Sequence, residues 1–345
     1  MRKILYLLFF VFFHSLNSNA QTIFGSASFG GSAGYGALYS CDSKTGKISF
    51  LHNFSQVDGI YPNGVYAVKN GVIYGTTGAG GKKKLGTIFE YIPSAKYFKV
   101  LHVFDSTLDG GQAVGCIRQF SDNKFYGMLD PIKTTPGYGR LFKYDPISNK
   151  DSICFTFTGP NGKYGSSDLI QASNGLLYGV TTSGGKYNYG VLFSYNIITG
   201  KDSVVLNFDS INNGSTPWSY FVQAPNGLLY GFTEKGGAHN KGVLISYNTI
   251  TGKDSVLIQF SGNNGAYPYA SPLIDKNGEL YGTTDSGGVY GKGVLFEYNI
   301  ASGKDTILIN FSGSNGNIPT YIVADSNNNI FGGSWSGGAN NDGMF

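Results

Sequence analysis

Three histidines follow residue 20, His52, His102 and His239, and they are the side chains best suited to general-base or metal work. His52 and His102 each stand two residues before a phenylalanine, in the slot that Leu206, Ile258 and Ile309 fill in sister segments. That slot reads as core, so both are expected to be neutral core histidines. His239 alone lies in a polar loop, within Gly-Ala-His-Asn-Lys, and one loop histidine is weak support for catalysis. Gly30-Gly31-Ser32-Ala33-Gly34 fits the GxSxG pattern. A nucleophile elbow needs a strand-to-helix turn beside an oxyanion hole, and no helical pattern follows here, so the match is read as coincidence. No EF-hand, Walker or zinc spacing is present, so neither a metal nor a cofactor is expected. The chain has four glutamates, Glu90, Glu234, Glu279 and Glu297. No pair among them suits glycoside hydrolysis, although aspartates from separate segments could converge after folding.

Aromatic side chains set among asparagines and glycines offer a different chemistry. Tyr187, Tyr189, Trp218, Tyr267, Tyr290 and Trp335 fall in long polar connections, where ring faces suit stacking on sugars or docking a protein. Tyr187, Tyr189, Trp218, His239, Tyr267 and Tyr290 are the candidate ligand-binding set. The plainer reading is that Trp218 and Tyr267 pack the bases of their loops.

The elements that must position these residues come from one unit copied repeatedly. An aromatic–glycine step recurs at Gly25, Gly75, Gly127, Gly179, Gly231, Gly282 and Gly332, at spacings of 50, 52, 52, 52, 51 and 50 residues. A period of about 51 residues with four strand-like runs per copy predicts an all-β fold, a β-propeller of four-stranded antiparallel blades. About 6.5 copies are present, which favours seven blades over six. In one copy the runs are Leu176–Thr182, Gly190–Asn196, Lys201–Phe208 and Pro217–Ala224. Gly200, like Gly46, Gly252 and Gly303, suits the positive φ of a tight turn. Asn226-Gly227 and Asn277-Gly278 read as two-residue hairpin turns. The other two connections are long, one with a double glycine (Gly184–Tyr189, Gly236–Lys241, Gly287–Lys292) and one polar (Asp209–Thr216, Ser261–Tyr267, Ser312–Ile318). Alternate connections of an up-and-down sheet emerge on the same side, so the long loops share one face, the candidate ligand face. The third copy departs from the pattern with Asp130-Pro131 and an insertion at Ile132–Tyr138, the second with Ile92–Phe98.

Residues 1–20 read as a secretory signal peptide: Arg2 and Lys3, then the apolar run Ile4–Phe13, then Ser18 and Ala20 before a cut near Ala20. No stretch reaches the twenty or so apolar residues of a membrane span. The remaining residues 21–345 form a single repeat domain. It stops at Gly343-Met344-Phe345, which matches the strand opening Gly190-Val191-Leu192, so the chain is read as truncated at its C-terminus. Net charge falls from +4 to +2 once Arg2 and Lys3 are removed, which gives no general attraction to nucleic acid. Lys82–Lys84 reads as a solubilising loop tip. Cys41, Cys116 and Cys154 replace buried-type residues and are expected to be thiols without a disulfide.

The pattern LYGTTxxGGxxxxGxLFxYxxxTGxxxxLxxF, present as LYGTTDSGGVYGKGVLFEYNIASGKDTILINF at Leu280–Phe311, resembles the GloVer tandem-repeat family. The resemblance covers nearly all of Thr22–Phe345. It implies a secreted bacterial propeller, attached to the cell surface, and it brings no established activity or catalytic residues. A more distant similarity is to kelch repeats, whose phase would make Tyr269–Asp275 innermost and Lys304–Phe311 outermost.

These observations favour a secreted or cell-surface, non-catalytic monomer that binds a glycan or a protein through its long-loop face. Two alternatives stand beside it: an extracellular polysaccharide lyase or hydrolase with carboxylates at a central channel, and a structural surface spacer.

Overall fold

The computed structural model describes residues 9–11 and 22–344, apart from 69–70, 107–108, 133–136, 326, 340 and 342. The expected cleavage point near Ala20, most of the Ile132–Tyr138 insertion and Phe345 lie outside these residues.

Two compact units divide the chain, Met1–Thr156 and Phe157–Phe345. The first holds three four-stranded antiparallel blades. Their strands are Phe9–Val11, Thr22–Ala27, Ala37–Asp42 and Ile48–Asn53; then Ile60–Ala67, Ile73–Ala79, Thr87–Ile92 and Tyr97–Val103; then Gly111–Gln119, Phe125–Pro131, Arg140–Asp145 and Lys150–Thr156. The second unit holds three more. They comprise Lys163–Gln171, Leu177–Ser183, Val191–Tyr195 and Asp202–Asn207; Val222–Gln223, Leu229–Thr233, Val243–Tyr247 and Asp254–Gln259; and Leu273–Ile274, Leu280–Thr284, Val294–Asn299 and Lys304–Asn310. A two-stranded sheet, Asn317–Ala324 with Ile330–Ser336, follows.

The fold is therefore all-β with four-stranded propeller blades, but six such blades are present among the described residues, where sequence counting favours seven. Two features of phase explain the difference. Each blade begins one strand before its aromatic–glycine step, so Pro217–Ala224 belongs with the copy after it. The seventh copy adds only its first two strands, with one isolated bridge from Met344 to Ser334. By the same phase, the first strand of the first blade, Phe9–Val11, is drawn from the segment read as a signal peptide, and it pairs with Gly25–Ala27.

The second and third strands carry the core. Val191–Tyr195 and Leu229–Thr233 are buried at every position, whereas the fourth strands Asp202–Asn207 and Lys304–Asn310 hold only half-buried and exposed positions. In the second unit, Tyr178, Val180, Leu192 and Phe208 of one blade pack on Phe221, Leu229, Val243 and Ile245 of the next. Burial of this kind contributes about 1.5–3 kcal/mol per large side chain. The marker glycine follows from that packing. A Cβ at Gly282 would lie 2.5 Å from Phe232 and 2.6 Å from Phe296, inside contact distance.

The double glycine has a backbone cause. Gly236 and Gly237 have φ of 79° and 75°, and Gly237 N–H donates to the carbonyl of Ser210 in the loop entering the same blade. A side chain at the next turn residue's cap closes the arrangement: the amides of Ser32, Lys186, Ala238 and Val289 donate to Asn53, Asn207, Gln259 and Asn310. The Asn226-Gly227 turn is a three-residue loop rather than a two-residue one. Ala224 and Leu228 close it through Ala224 N–H to Leu228 O, with Gly227 at φ 83° supplying the bulge. Asp275 and Glu279 close the Asn277-Gly278 loop in the same way.

Candidate functional site

The residues predicted from the sequence are dispersed along the long-loop ends of the second unit. Tyr187 and Tyr189 stand half-exposed in the double-glycine loop of the fourth blade, where the Lys186 ammonium lies 4.9 Å from the Tyr187 ring centre. His239 is exposed in the corresponding loop of the fifth blade, and Tyr290 in that of the sixth. Tyr267 is half-buried at φ 57°, a left-handed conformation that recurs at Tyr61, Tyr164, Thr216 and Ile318. Its shape is thus shared by five copies, and its amide donates to the carbonyl of Lys241.

Only Trp218 gains an aromatic partner. Its ring centre lies 5.8 Å from that of Tyr269, tilted by 37°. Both follow a proline, Pro217 and Pro268, at the point where the chain enters the first strand of its blade. Trp218 is 39% and Tyr269 42% exposed, although the residues on either side of Tyr269 are buried.

Two carboxylates, Glu234 and Asp285, occupy the position three residues after the marker glycines Gly231 and Gly282, and both sit at the strand end that meets this entry point. Glu234 N–H donates to the carbonyl of Thr216, and Asp285 N–H to that of Tyr267. Glu234 also pairs with Lys235 at 3.4 Å. Burial, with the nearby charge of Glu234, pushes the Asp285 carboxyl up to about 7. Burial also raises the Tyr269 hydroxyl, helped by the charges of Asp285 and Glu234. Partial exposure together with such shifts means that water reaches these side chains, but too little to stabilise their charged forms fully. Asp130 stands at the same repeat position in the first unit, and burial pushes its carboxyl up to about 6.

Tyr269, Glu234 and Asp285 were not singled out from the sequence. The signal lay in the repeat alignment. The position three after each marker glycine reads Ser28, Gly78, Asp130, Thr182, Glu234, Asp285 and Trp335, a slot free to vary between rigid neighbours.

The histidines diverge. His52 Nε2 lies 3.3 Å from Asp58, and its ring stacks on Phe98 with centres 3.7 Å apart. Burial lowers its pKa, with the Asp58 carboxylate opposing. His102 instead lies between two carboxylates, 3.2 Å from Asp109 and 3.6 Å from Asp151. Burial acts against its charge, but the bond to Asp109 and the charges of Asp151 and Asp109 outweigh it, so its pKa is raised. The expectation of a neutral core histidine therefore does not describe His102. Ser32, the serine of the GxSxG match, sits in a double-glycine loop with its amide on Asn53. Cys41 and Cys116 are buried and Cys154 is half-buried.

Blades of sequential antiparallel strands, with variable side chains on repeated loops, define a tandem-repeat β-propeller. The chain belongs to the Gloeobacter/Verrucomicrobia repeat family, whose model matches residues 13–193 and 165–345. No curated protein matches it. Among solved structures it is similar to the extracellular domain of the putative hybrid two component system BT4673 from B. thetaiotaomicron, at 16% identity and TM-score 0.63. That match covers 96% of this chain and 39% of the other, so the chain spans well under half of that protein's length. It is also similar to the β-propeller domain of the Trilobed protease from Pyrococcus furiosus, at 12% identity and TM-score 0.58, covering 97% and 91% of the two chains. A putative 6-phosphogluconolactonase from Bacteroides fragilis matches at 15% identity and TM-score 0.54, over 83% and 80%. At these identities the likeness speaks to the fold alone. Among the described residues, no helix is long and apolar enough to cross a membrane.

Proposed function

We propose that this chain is an extracellular propeller module that binds a carbohydrate at the long-loop end of its second unit. Trp218 and Tyr269 form the stacking platform, and Glu234 and Asp285 accept hydrogen bonds from sugar hydroxyls. The observation that carries this reading is the pair of half-exposed rings at 5.8 Å beside two carboxylates. Apolar sugar faces stack on aromatic rings, and a carboxylate can take two hydroxyls at once. Tyr187, Tyr189, His239, Tyr267 and Tyr290 belong to the surrounding rim. Similarity to the extracellular domain of BT4673 fits an exported protein. Removal of the leader near Ala20 leaves the first blade with its three later strands, a change that N-terminal sequencing of the secreted protein detects.

Glycan-array binding by the processed protein tests the reading. Trp218→Ala and Tyr269→Ala each weaken binding at least tenfold, while Tyr290→Ala has a smaller effect. Binding unchanged in both of the first two variants removes the platform and leaves the spacer reading.

One observation favours catalysis as a second reading. A carboxyl pushed up to about 7 beside another carboxylate is the arrangement that acid–base chemistry on glycosidic bonds uses. Release of reducing ends or unsaturated sugars from polysaccharides, abolished in both Asp285→Asn and Glu234→Gln, supports the enzyme; intact products with retained binding support the module.

A further inference from the structure

We propose that His102, Asp109 and Asp151 form a site for a divalent transition-metal cation, such as zinc or manganese. The three come from separate segments of the first unit: the fourth strand of the second blade, the loop leaving it, and the fourth strand of the third blade. One ligand atom from each lies within 4.8 Å of the others. The site is distinct from the carbohydrate platform, and neither proposal depends on the other.

The carboxyl of Asp109 is the second observation. Its side chain is 1% exposed. One oxygen, Oδ2, accepts from the Asp105 amide at 2.6 Å and lies 3.2 Å from His102 Nε2. The other, Oδ1, is buried without a hydrogen-bond partner among the described residues. The carboxyls of Asp109 and Asp151 lie within hydrogen-bond reach of one another, a bond that exists only while Asp151 keeps its proton; once both are ionised neither can donate. A buried acceptor left in this state costs about 1–3 kcal/mol unless a cation or a proton satisfies it.

Sister copies give the reference state. In the loops leaving the third and fourth blades an asparagine stands where Asp109 does, and its amide donates to the equivalent aspartate of the next blade, Asn161 to Asp202 and Asn213 to Asp254, each at 3.4 Å. There the histidine slot holds an apolar residue, as Leu206 does. At His102 and Asp109 the chain has replaced a methyl group and an amide donor with two ligating groups at one point. His52 lacks the full set. Ser55 donates to Asp58 at 2.9 Å, and Phe98 occupies the strand position where Asp151 stands.

One imidazole nitrogen and two carboxylates suit zinc or manganese better than calcium, which prefers oxygen ligands alone. His102 presents a carboxylate to each ring nitrogen, Asp109 to Nε2 at 3.2 Å and Asp151 to Nδ1 at 3.6 Å, so the imidazole already lies between the two carboxylates that would share the ion. His102 and Asp151 are 16% and 21% exposed, enough for an ion to enter from solvent and for both side chains to draw in around it.

The test is calorimetric titration of the purified, EDTA-treated full chain with zinc chloride and, separately, manganese chloride, alongside thermal unfolding with and without each metal. The expected result is one ion bound per chain, with a rise in Tm that EDTA reverses. Asp109→Asn restores the sister-copy pair and weakens affinity at least tenfold. His102→Leu with Asp109→Asn converts the site to that of Leu206, Asn213 and Asp254 and abolishes binding. Should either variant fail to fold, Asp151→Asn, at a more exposed position, carries the same expectation. Wild-type protein that binds neither metal at millimolar concentration overturns the proposal, and so does binding undiminished in a folded variant.

Discussion

His52 and His102 occupy the same repeat position one blade apart, yet their surroundings impose opposite charge preferences. At His52 the strand opposite supplies Phe98, a flat ring that covers the imidazole and favours its neutral form. At His102 the same strand position supplies Asp151, and the cover becomes a second charge. One residue on the neighbouring blade therefore decides whether the slot is core or polar site. Repeat architecture makes such changes inexpensive, because strands on either side are held by packing that the substitution does not touch.

The contrast can be broken most directly at the carboxylates. Asp109→Ala removes a fully buried partner of His102 and should lower stability by about 3 kcal/mol in urea unfolding. Asp58→Ala, at 26% exposure, should cost under about 1 kcal/mol. Equal losses would show that the two pockets are equivalent after all. A smaller effect is expected at the cover. Phe98→Ala strips a ring that touches His52, Phe54 and Phe89, and should cost about 2 kcal/mol, whereas Asp151→Ala should stay within about 1 kcal/mol. The smallest effect is in pH dependence. The folded pKa of His52 is depressed, so the unfolded chain binds more protons in the affected window. His52 therefore favours folding above about 6.5, and this contribution is lost as pH falls below that value. His52→Leu should flatten the acid limb by less than about 1 kcal/mol between about pH 7.5 and about pH 5. A steeper limb in the variant would reverse the assignment.

A fourth prediction lies in the second unit and has the opposite slope. Asp285, pushed up to about 7, holds its proton longer in the folded state than in the unfolded one. Its contribution is fully present below about 3.9 and is lost as pH rises through about 7. Asp285→Asn should therefore remove part of the decline in Tm as pH rises from about 4 through about 7, measured by thermal unfolding across that range.

Much of the architecture was legible because repetition averages out the ambiguity of single strands. The aromatic–glycine step, the double glycine and the Gly200-type turns all have local causes, a blocked Cβ or a positive φ, that one copy displays and most of the others repeat. Blade phase was harder, since periodicity fixes a spacing and not a starting point, and Pro217–Ala224 was placed one blade early. The Asn226-Gly227 dipeptide also misled, because Pro225 joins the loop and lengthens it to three residues. Function was less legible for a physical reason. Tyr187, Tyr189 and Tyr290 announce themselves by lying in loops, yet the platform needed Tyr269, which the repeat phase assigned to a strand. His102 looked like Leu206 in alignment. Its partners, seven and forty-nine residues away, become visible only when two blades meet.

Every blade pairs strands only with their sequence neighbours. Its hairpins therefore close over short loops, and folding can begin in any copy without waiting for distant segments. The same economy creates a hazard during synthesis. The fourth, fifth and sixth blades are near-copies, so a hairpin from one fits the open edge of another until its own partner emerges.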